Sequence, residues 1–315
     1  MCRHQVKPLY KLTTVGYSLL TSLDGAGHSV YSIRMFNWFC VKRGKGKMKR
    51  LIIVMAGLKV AVVMVGVMLG VVSAFGADAS RQWIEMRQYT CSSVEVRDKL
   101  ASVFDAALVP ALNRQGAKKV GVFLTDSETN DGKADYNTSV FVVTVFADAA
   151  DCLTAERKLL ADAAFLKDAA ALFEAPMKEP LYDSCSSAVL QSFATCPAVE
   201  QVLASEGRLF QLRIYNSYTP ERNAKKIAMF EAGGEIALFR KCGMPPVFFG
   251  EAVAGAMLPN LTYMLAFESK EKKDASWKMF VDHPEWKAMK ADTQYKDTAN
   301  KITNIVLRPS KGSQL

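Results

Sequence analysis

The chain has 315 residues, of which 50% are hydrophobic and 23% are charged. This composition excludes a disordered chain, a collagen-like repeat and a small disulfide scaffold, and the length suits about two domains. The formal charge is +9, but residues 1–77 hold 11 of the Lys and Arg residues and only one acid, Asp24. The rest of the chain has 29 basic against 30 acidic residues, so we expect no basic surface for nucleic acid.

The first part of the chain is a leader, which we place at 1–77. A basic stretch ending at Arg50 precedes an apolar run at 51–72, and small residues follow that run. This order is typical of an export signal at 48–77 and predicts a periplasmic or secreted protein. The run is also long enough to remain as a membrane anchor, which is the alternative. We expect translation to start at Met48, so that the preceding residues are a mis-assigned upstream segment, 1–47.

Five cysteines lie beyond the leader, so at least one of them must be a free thiol. Cys185 and Cys196 flank a predicted strand, which holds them too far apart for a disulfide. The sequence has no CxxC pair and no Cys/His cluster, which gives a zinc site little support. We predict free and mostly buried thiols, no metal and no other cofactor.

An internal repeat divides the rest of the chain into two copies of one unit. The segment EMRQY at 85–89 recurs as QLRIY at 211–215, and the elements that follow keep the same order. The repeat predicts one domain at 81–197 and a second at 207–311.

In the first copy, Ser92-x-x-Glu95 is typical of a capping box at the start of a helix. The hydrophobic periodicity predicts strand 83–89, helix 94–115, strands 120–124 and 138–146, helix 152–172 and strand 186–193.

In the second copy, alternation predicts a strand at 210–215, and Thr219 followed by Pro220 predicts a helix N-cap. The Gly233-Gly234 pair loosens this helix midway, and Gly243 ends it. The later elements are strands 246–250 and 261–267, a helix that begins at Ser269 or Asp274 and restarts at 282–285, and strand 302–307.

Both copies follow the order β-α-β-β-α-β, so the predicted fold class is α+β with two tandem ferredoxin-like domains. The helices of such a unit cover only one face of its sheet. The strand at 140–146 is apolar on both faces, so its second face must be covered as well. The economical arrangement packs the two sheets against each other as an intrachain dimeric α/β barrel.

Several segments of the second copy, in the right order, are similar to one known family. They are FQLRIY at 210–215, LFRKCGMPPV at 238–247, NLTYMLAF at 260–267 and DHPEW at 282–286. These resemble the opening strand, the turn after the first helix, the third strand and the second helix of the NIPSNAP family.

The resemblance is weaker in the first copy, where QGA at 115–117 replaces CGM, and this indicates a degenerate copy that serves the fold. Membership of the NIPSNAP family implies a dimeric α/β barrel and leaves the biochemical activity undefined. Distant barrel relatives include cofactor-free monooxygenases, haem enzymes and isomerases, so the fold alone does not choose a function.

Alternation in the two opening strands separates apolar from polar side chains. We expect Ile84, Met86, Leu212 and Ile214 to face the helices, and the intervening polar residues to face the barrel interior. That arrangement predicts a cavity in which an arginine holds an anionic ligand and tyrosines stack or donate. The alternative is an internal Glu85–Arg network that joins the two sheets. The candidate ligand-binding residues are Arg87, Tyr89, Arg213, Tyr215, Tyr263 and His283.

His283 is the only histidine beyond the leader. Its position in Asp-His-Pro-Glu favours a helix cap over a general base. The sequence has no Walker A motif, no dinucleotide glycine motif and no nucleophile elbow, so no catalytic residue is assigned.

The function we expect is that of an exported NIPSNAP-type protein that binds a small, partly apolar ligand or a protein partner. The alternative is a cofactor-independent oxygenase or isomerase, with Tyr215 or His283 as acid or base and Arg213 steering an anion. A third hypothesis is structural association, with a homodimer as one form of it. A membrane would be contacted only through an uncleaved leader.

Overall fold

The computed structural model of the protein describes residues 16–23, 29–36, 81–126, 134–200 and 205–315. The chain divides into two compact units, Met1–Leu69 and Gly70–Leu315. In the first unit, strands β1 (Gly16–Leu23) and β2 (Ser29–Phe36) pair antiparallel. The predicted export signal at 48–77 lies outside the described residues.

The first copy of the repeat has the predicted order of elements. Its members are β3 (Trp83–Thr90), α1 (Val94–Val103), a π-helical turn (Phe104–Leu108), α2 (Val109–Arg114), β4 (Lys119–Thr125), α3 (Ala134–Asn137), β5 (Ser139–Phe146), α4 (Ala149–Leu160), α5 (Ala163–Asp168), α6 (Ala170–Phe173) and β6 (Ser184–Ser192).

The second copy repeats that order. Its members are β7 (Leu209–Asn216), α7 (Pro220–Phe230), α8 (Glu235–Lys241), β8 (Pro246–Ala254), β9 (Asn260–Phe267), α9 (Lys270–Asp282), α10 (Pro284–Ala291), a 3₁₀ turn (Thr293–Tyr295) and β10 (Lys301–Pro309).

The eight strands of the two copies form one closed antiparallel barrel, in the order β10-β4-β5-β3-β6-β8-β9-β7. Each copy contributes a four-stranded ferredoxin-like sheet, and backbone pairing closes both seams. Leu307 lies opposite Thr125 at one seam, and Ser192 lies opposite Gly250 at the other. The prediction of tandem ferredoxin-like domains that form an intrachain dimeric α/β barrel is therefore confirmed.

The residues after β10 extend the first seam. The backbone N–H of Gln314 donates to the carbonyl of Val120 at 2.9 Å, and Leu315 is buried in the barrel interior. Every strand of the barrel has two neighbours. None of these eight described strands is therefore an edge strand over its whole length, although β6 pairs with β8 only from Val189 to Ser192.

The two faces of the sheets are the reverse of our prediction. Ile84 and Met86 of β3 and Leu212 of β7 lie in the apolar core inside the barrel. Tyr89 packs beneath the helices of the first copy, and Tyr215 beneath those of the second. Because both faces of each sheet are buried, apolar content alone does not identify the helix side. In the two opening strands, the alternating apolar side chains point into the barrel, and the intervening polar and tyrosine side chains meet the helices.

The helix ends follow their sequence signals closely. The hydroxyl of Thr219 accepts from the backbone N–H of Arg222, and Ser269 caps α9 in the same way. Gly234, at φ +86°, separates α7 from α8, and Gly243, at φ +71°, follows the end of α8. One prediction is wrong: Ser93 caps α1, not Ser92, because its side chain accepts from the N–H of Val96.

The thiols beyond the leader are free, as predicted. Cys91, Cys152, Cys196 and Cys242 are buried and Cys185 is exposed. No helix among the described residues combines the length and the apolar character needed to cross a membrane.

Candidate functional site

A cavity of about 100 Å³ lies between the sheet and the helices of the first copy. Arg87 and Tyr89 lie on the side of β3 that faces the helices, and they form the polar end of this cavity. The π-helical turn, α4, α5 and the segment before β6 supply the apolar and aromatic walls, which include Phe104, Leu108, Leu159, Phe165 and Tyr182. A smaller hollow of about 10 Å³ shares Arg87 and Tyr89 with it and adds Thr144 of β5.

Two carboxylates hold the guanidinium of Arg87 in place. Its Nε lies 2.8 Å from Glu85 Oε1, and one of its terminal nitrogens lies 3.1 Å from Glu156 Oε2. The side chain of Glu85 is 10% exposed, whereas that of Glu156 is 66% exposed. Burial is the largest single effect on Arg87 and would lower its pKa, but the charges of Glu85 and Tyr89 and the hydrogen bonds with them together raise it. The polar end of the cavity therefore has two acids for one base.

Tyr89 joins the polar end of the cavity to its aromatic wall. Its ring centroid lies 4.8 Å from that of Phe104 and 5.1 Å from that of Tyr182, both in edge-to-face geometry. Burial raises the pKa of the Tyr89 phenol, while the neighbouring Arg87 lowers it in part. The phenol is therefore protonated at neutral pH and can donate a hydrogen bond.

The sequence analysis missed Glu156 and Tyr182 as parts of this site. Glu156 lies four residues after the buried Cys152 on α4, so helical spacing places both on the face toward the sheet. That spacing could have revealed Glu156. Tyr182 lies in the irregular segment before β6, where no periodic signal marks it.

The second copy places Arg213, Tyr215 and Tyr263 together beneath its helices. The guanidinium of Arg213 lies 4.6 Å from the ring centroid of Trp277 and 5.5 Å from that of Tyr215. The hydroxyls of Tyr215 and Tyr263 are 3.4 Å apart. Burial raises the pKa of both phenols, so neither is suited to act as a base at neutral pH.

A buried ion pair lies beside this cluster. Lys226 Nζ is 3.1 Å from Glu235 Oε2, and the two side chains are 7% and 2% exposed. The ammonium also lies 5.2 Å from the ring centroid of Tyr215 and 4.7 Å from that of Phe230. Burial raises the pKa of the Glu235 carboxyl, and the neighbouring Lys226 offsets part of that rise.

Aromatic rings pack the space under the second copy's helices. Phe239 lies 4.8 Å from Phe280 and 5.8 Å from Tyr263, measured between ring centroids, and Phe249 lies 4.9 Å from Tyr263. These aromatic side chains belong to the buried core of the second copy. The equivalent region of the first copy encloses the cavity described above.

His283 is the N-cap of α10. Its Nδ1 accepts a hydrogen bond from the backbone N–H of Glu285 at 3.2 Å. The favoured interpretation of a helix cap is therefore confirmed. The structure brings Arg87 together with Tyr89, and Arg213 with Tyr215 and Tyr263, but His283 belongs to neither group.

Within the described ranges, no cluster of three or more His, Cys, Asp or Glu side chains could hold a metal ion. The polar groups of the candidate site are one guanidinium, two carboxylates and a protonated phenol. They can bind and orient a ligand through charge and hydrogen bonds, and the aromatic walls can cover its apolar part.

The closed barrel with helices on its outer face defines a dimeric α/β-barrel protein of the tandem, single-chain type. Residues 210–314 match the NIPSNAP family profile, so the second copy is a NIPSNAP domain. This agrees with the resemblance in strands β7 and β9 and in the turn after α8.

Three of the solved structures that are similar to the chain are described by identity, coverage and TM-score. A protein from Lactobacillus acidophilus NCFM, provisionally described as a monooxygenase, is 10% identical, with 73% of this chain and 94% of that chain covered and a TM-score of 0.49. An uncharacterized NIPSNAP-like domain protein from Burkholderia xenovorans is 20% identical over 35% of this chain and 90% of its own, with a TM-score of 0.31.

The third, a haem-binding protein from Thermus thermophilus, is 11% identical over 73% of this chain and 92% of its own, with a TM-score of 0.39. Among curated protein sequences, none matches the chain. The fold assignment rests on the hydrogen-bonded barrel itself.

Proposed function

We propose that the protein binds a small, partly apolar ligand in the cavity under the helices of the first copy. The observation that carries this proposal is the partly open space of about 100 Å³ between Arg87 and Tyr89 at one end and aromatic walls at the other. A structural copy with no ligand would be expected to fill such a space, because protein interiors are close-packed.

The charged groups at the polar end of the cavity disfavour a negatively charged ligand. Arg87 already has Glu85 and Glu156 as partners, so a carboxylate would meet one positive and two negative groups. Tyr89 offers a phenolic donor. The ligand that fits is uncharged, with one acceptor or hydroxyl group on an apolar body. The exposed Glu156 can move aside for it at little cost, because exposed ion pairs contribute only about 0–1 kcal/mol.

A catalytic role is the less favoured alternative. The enzyme hypothesis relied on Tyr215 or His283 as acid or base. His283 is a helix cap, and the pKa of Tyr215 is raised by burial. Among the residues that line the first-copy cavity, the groups that could act as a base near Tyr89 are the two carboxylates that already pair with Arg87.

Ligand-observed NMR with phenol and benzoate, two probes of the same ring size, tests the proposal. Phenol should show saturation transfer from the protein, and benzoate should show less. Leu159→Phe places extra carbon atoms in the cavity and should abolish the phenol signal. Leu153→Phe makes the same change on the exposed side of α4, where the residue is 68% exposed, and should preserve the signal. Equal phenol signals in the two variants would contradict the proposal.

We further propose that the protein is exported and that the leader is cleaved. The basic stretch, the apolar run at 51–72 and the small residues after it support this proposal. Mass measurement of the protein from its host tests it. A mature N-terminus after Gly76 or Ala79 is the expected result. An intact N-terminus at Met48 in the membrane fraction would favour an anchor instead.

A further inference from the structure

The inward-facing side chains of the barrel change from apolar to polar at one end. Among the inward-facing residues of β3, Gln88 comes next after Met86. Among those of β7, Asn216 comes next after Ile214. The first residues of β9 and β10 lie at that same end, because they pair with the end of β7. Asn216 is opposite Asn260 on one side and Lys301 on the other.

This end of the barrel contains a chamber of about 220 Å³. Apolar side chains form its floor, among them Met86, Phe141, Ile214 and Ile305. Amides, hydroxyls and one ammonium surround the floor, namely Gln88, Ser186, Asn216, Thr262, Lys301 and Thr303. The chamber lies on the opposite face of the sheet from the cavity beneath the helices.

Asn216 is the most informative group in the wall. The residue is 6% exposed, and its Nδ2 donates to the carbonyl of Met257 at 2.8 Å. That bond fixes the orientation of the amide, and its Oδ1 is buried and accepts no hydrogen bond from the described residues. A buried acceptor without a partner costs about 1–3 kcal/mol, so a ligand that donates to it would remove that cost.

The charges in the wall exclude one class of donor. No Asp or Glu is among the described residues that line the chamber, and Lys301 is the single charged group in that lining. An ammonium ligand would find no counter-charge there and would be repelled by Lys301. A hydroxyl group can donate to Asn216 without bringing a positive charge.

The size of the chamber sets the scale of the ligand. A dry protein cavity of about 150 Å³ accepts benzene, so a chamber of 220 Å³ has room for a six-membered ring with polar substituents. The apolar floor can cover the carbon–hydrogen face of such a ring, and the surrounding amides and hydroxyls can bind its edge.

We propose that this chamber is a second binding site, independent of the one beneath the helices, for a small hydroxylated ring compound that carries no positive charge. Asn216 accepts a hydrogen bond from a ligand hydroxyl, Thr303 and Ser186 bind others, and the floor formed by Phe141 and its neighbours covers the ring face.

Methyl NMR of the full chain, labelled at its methionine methyl groups, tests the proposal with myo-inositol as the probe. The Met86 and Met257 methyls line the chamber and should shift during the titration. Met229 lies buried in α7 of the second copy and should not shift. Cyclohexylammonium, a ring of the same size with a positive charge, should leave all three unchanged. No shift of Met86 and Met257 at millimolar excess of myo-inositol, or equal shifts with the cation, would overturn the proposal.

A matched pair of variants separates this site from the cavity beneath the helices. Thr303→Val removes a chamber hydroxyl and should weaken myo-inositol binding about five-fold, the usual effect of one lost hydrogen bond. Thr144→Val makes the same change beside Arg87, in the cavity beneath the helices, and should leave the affinity for myo-inositol unchanged. Ser186→Ala, at an exposed position, should weaken binding similarly and guards against misfolding of the first variant. Unchanged affinity in both Thr303→Val and Ser186→Ala would overturn the proposal, whatever the outcome for phenol.

Discussion

Arg87 and Arg213 occupy equivalent positions in the two copies, but only Arg87 is held by carboxylates. Arg87 Nε lies 2.8 Å from Glu85 Oε1, whereas the guanidinium of Arg213 lies 4.6 Å from the ring centroid of Trp277. The repeat places Gln211 where the first copy has Glu85, and Gln211 accepts from Trp277 Nε1 at 2.5 Å. Among the described residues, no carboxylate lies within ion-pair distance of Arg213. The same arginine therefore has an ionic setting in one copy and an aromatic setting in the other.

This difference predicts unequal costs for removing the two charges. Arg87→Met should lower the free energy of unfolding by about 3–5 kcal/mol, because it leaves Glu85 buried without its cation. Arg213→Met should lower it by only about 1 kcal/mol, since the lost contact is a cation–π interaction and no acid is left unpaired. Urea unfolding of both variants checks the prediction. Equal losses would show that the Glu85 ion pair contributes no more than the Trp277 contact.

The ion pair between Lys226 and Glu235 gives a second prediction. Lys226→Met leaves a carboxyl that is 2% exposed without its partner and should cost about 3–5 kcal/mol of stability. Adding Glu235→Leu to that variant should recover most of the loss, because a well-packed apolar pair can replace a buried ion pair. Thermal unfolding of the single and double variants measures both effects. A double variant no more stable than the single one would contradict this account.

Buried thiols predict a loss of stability at alkaline pH. Burial raises the pKa of Cys152 to about 12 from an ordinary value of 9.0. Between those values the folded state keeps a proton that the unfolded state releases, so the free energy of unfolding falls as pH rises. One such thiol lowers the free energy of unfolding by about 1.4 kcal/mol for each pH unit in this range.

Replacing Cys152 by Val should make the fall in stability between pH 9 and pH 12 shallower by about that amount. Cys185→Val provides the comparison, because Cys185 is exposed and burial raises the pKa of its thiol less than that of Cys152, so the slope should change less. Urea unfolding at several pH values checks the two slopes. A Cys152→Val slope identical to that of the unchanged protein would contradict the assignment.

His283 should matter for stability and not for binding. His283→Ala removes the acceptor for the N–H of Glu285 and should cost about 1 kcal/mol, whereas His283→Asn should preserve most of the cap. Both variants should bind phenol as the unchanged protein does. Loss of binding in His283→Ala, with stability preserved, would return this residue to the candidate site.

The repeat and the strand period were enough to predict the order of elements and the barrel. The period-2 pattern at 210–215 and the caps at Thr219 and Ser269 came directly from local sequence chemistry. The faces of the strands could not be deduced in the same way. All eight residues of β5 are buried, so its hydrophobicity does not distinguish the barrel side from the helix side.

The candidate site was only half visible in the sequence. Arg87 and Tyr89 were named correctly as neighbours on one strand face, but their cavity depends on where α4 and the segment before β6 cross the sheet. Tyr182 reaches Tyr89 through that tertiary arrangement. The polar end of the barrel did have a sequence signal, since Gln88 and Asn216 interrupt otherwise apolar inward faces. This signal could be interpreted only once the structure showed which face of each strand points into the barrel.

Native mass spectrometry of the protein purified gently from its own host tests the central claim most directly. The account predicts an adduct of small mass that disappears on denaturation, is absent from Leu159→Phe and persists in Leu153→Phe. If Leu159→Phe loses none of the adducts found on the unchanged protein, or if the unchanged protein has no adduct, ligand binding in the cavity beneath the first copy's helices would be contradicted.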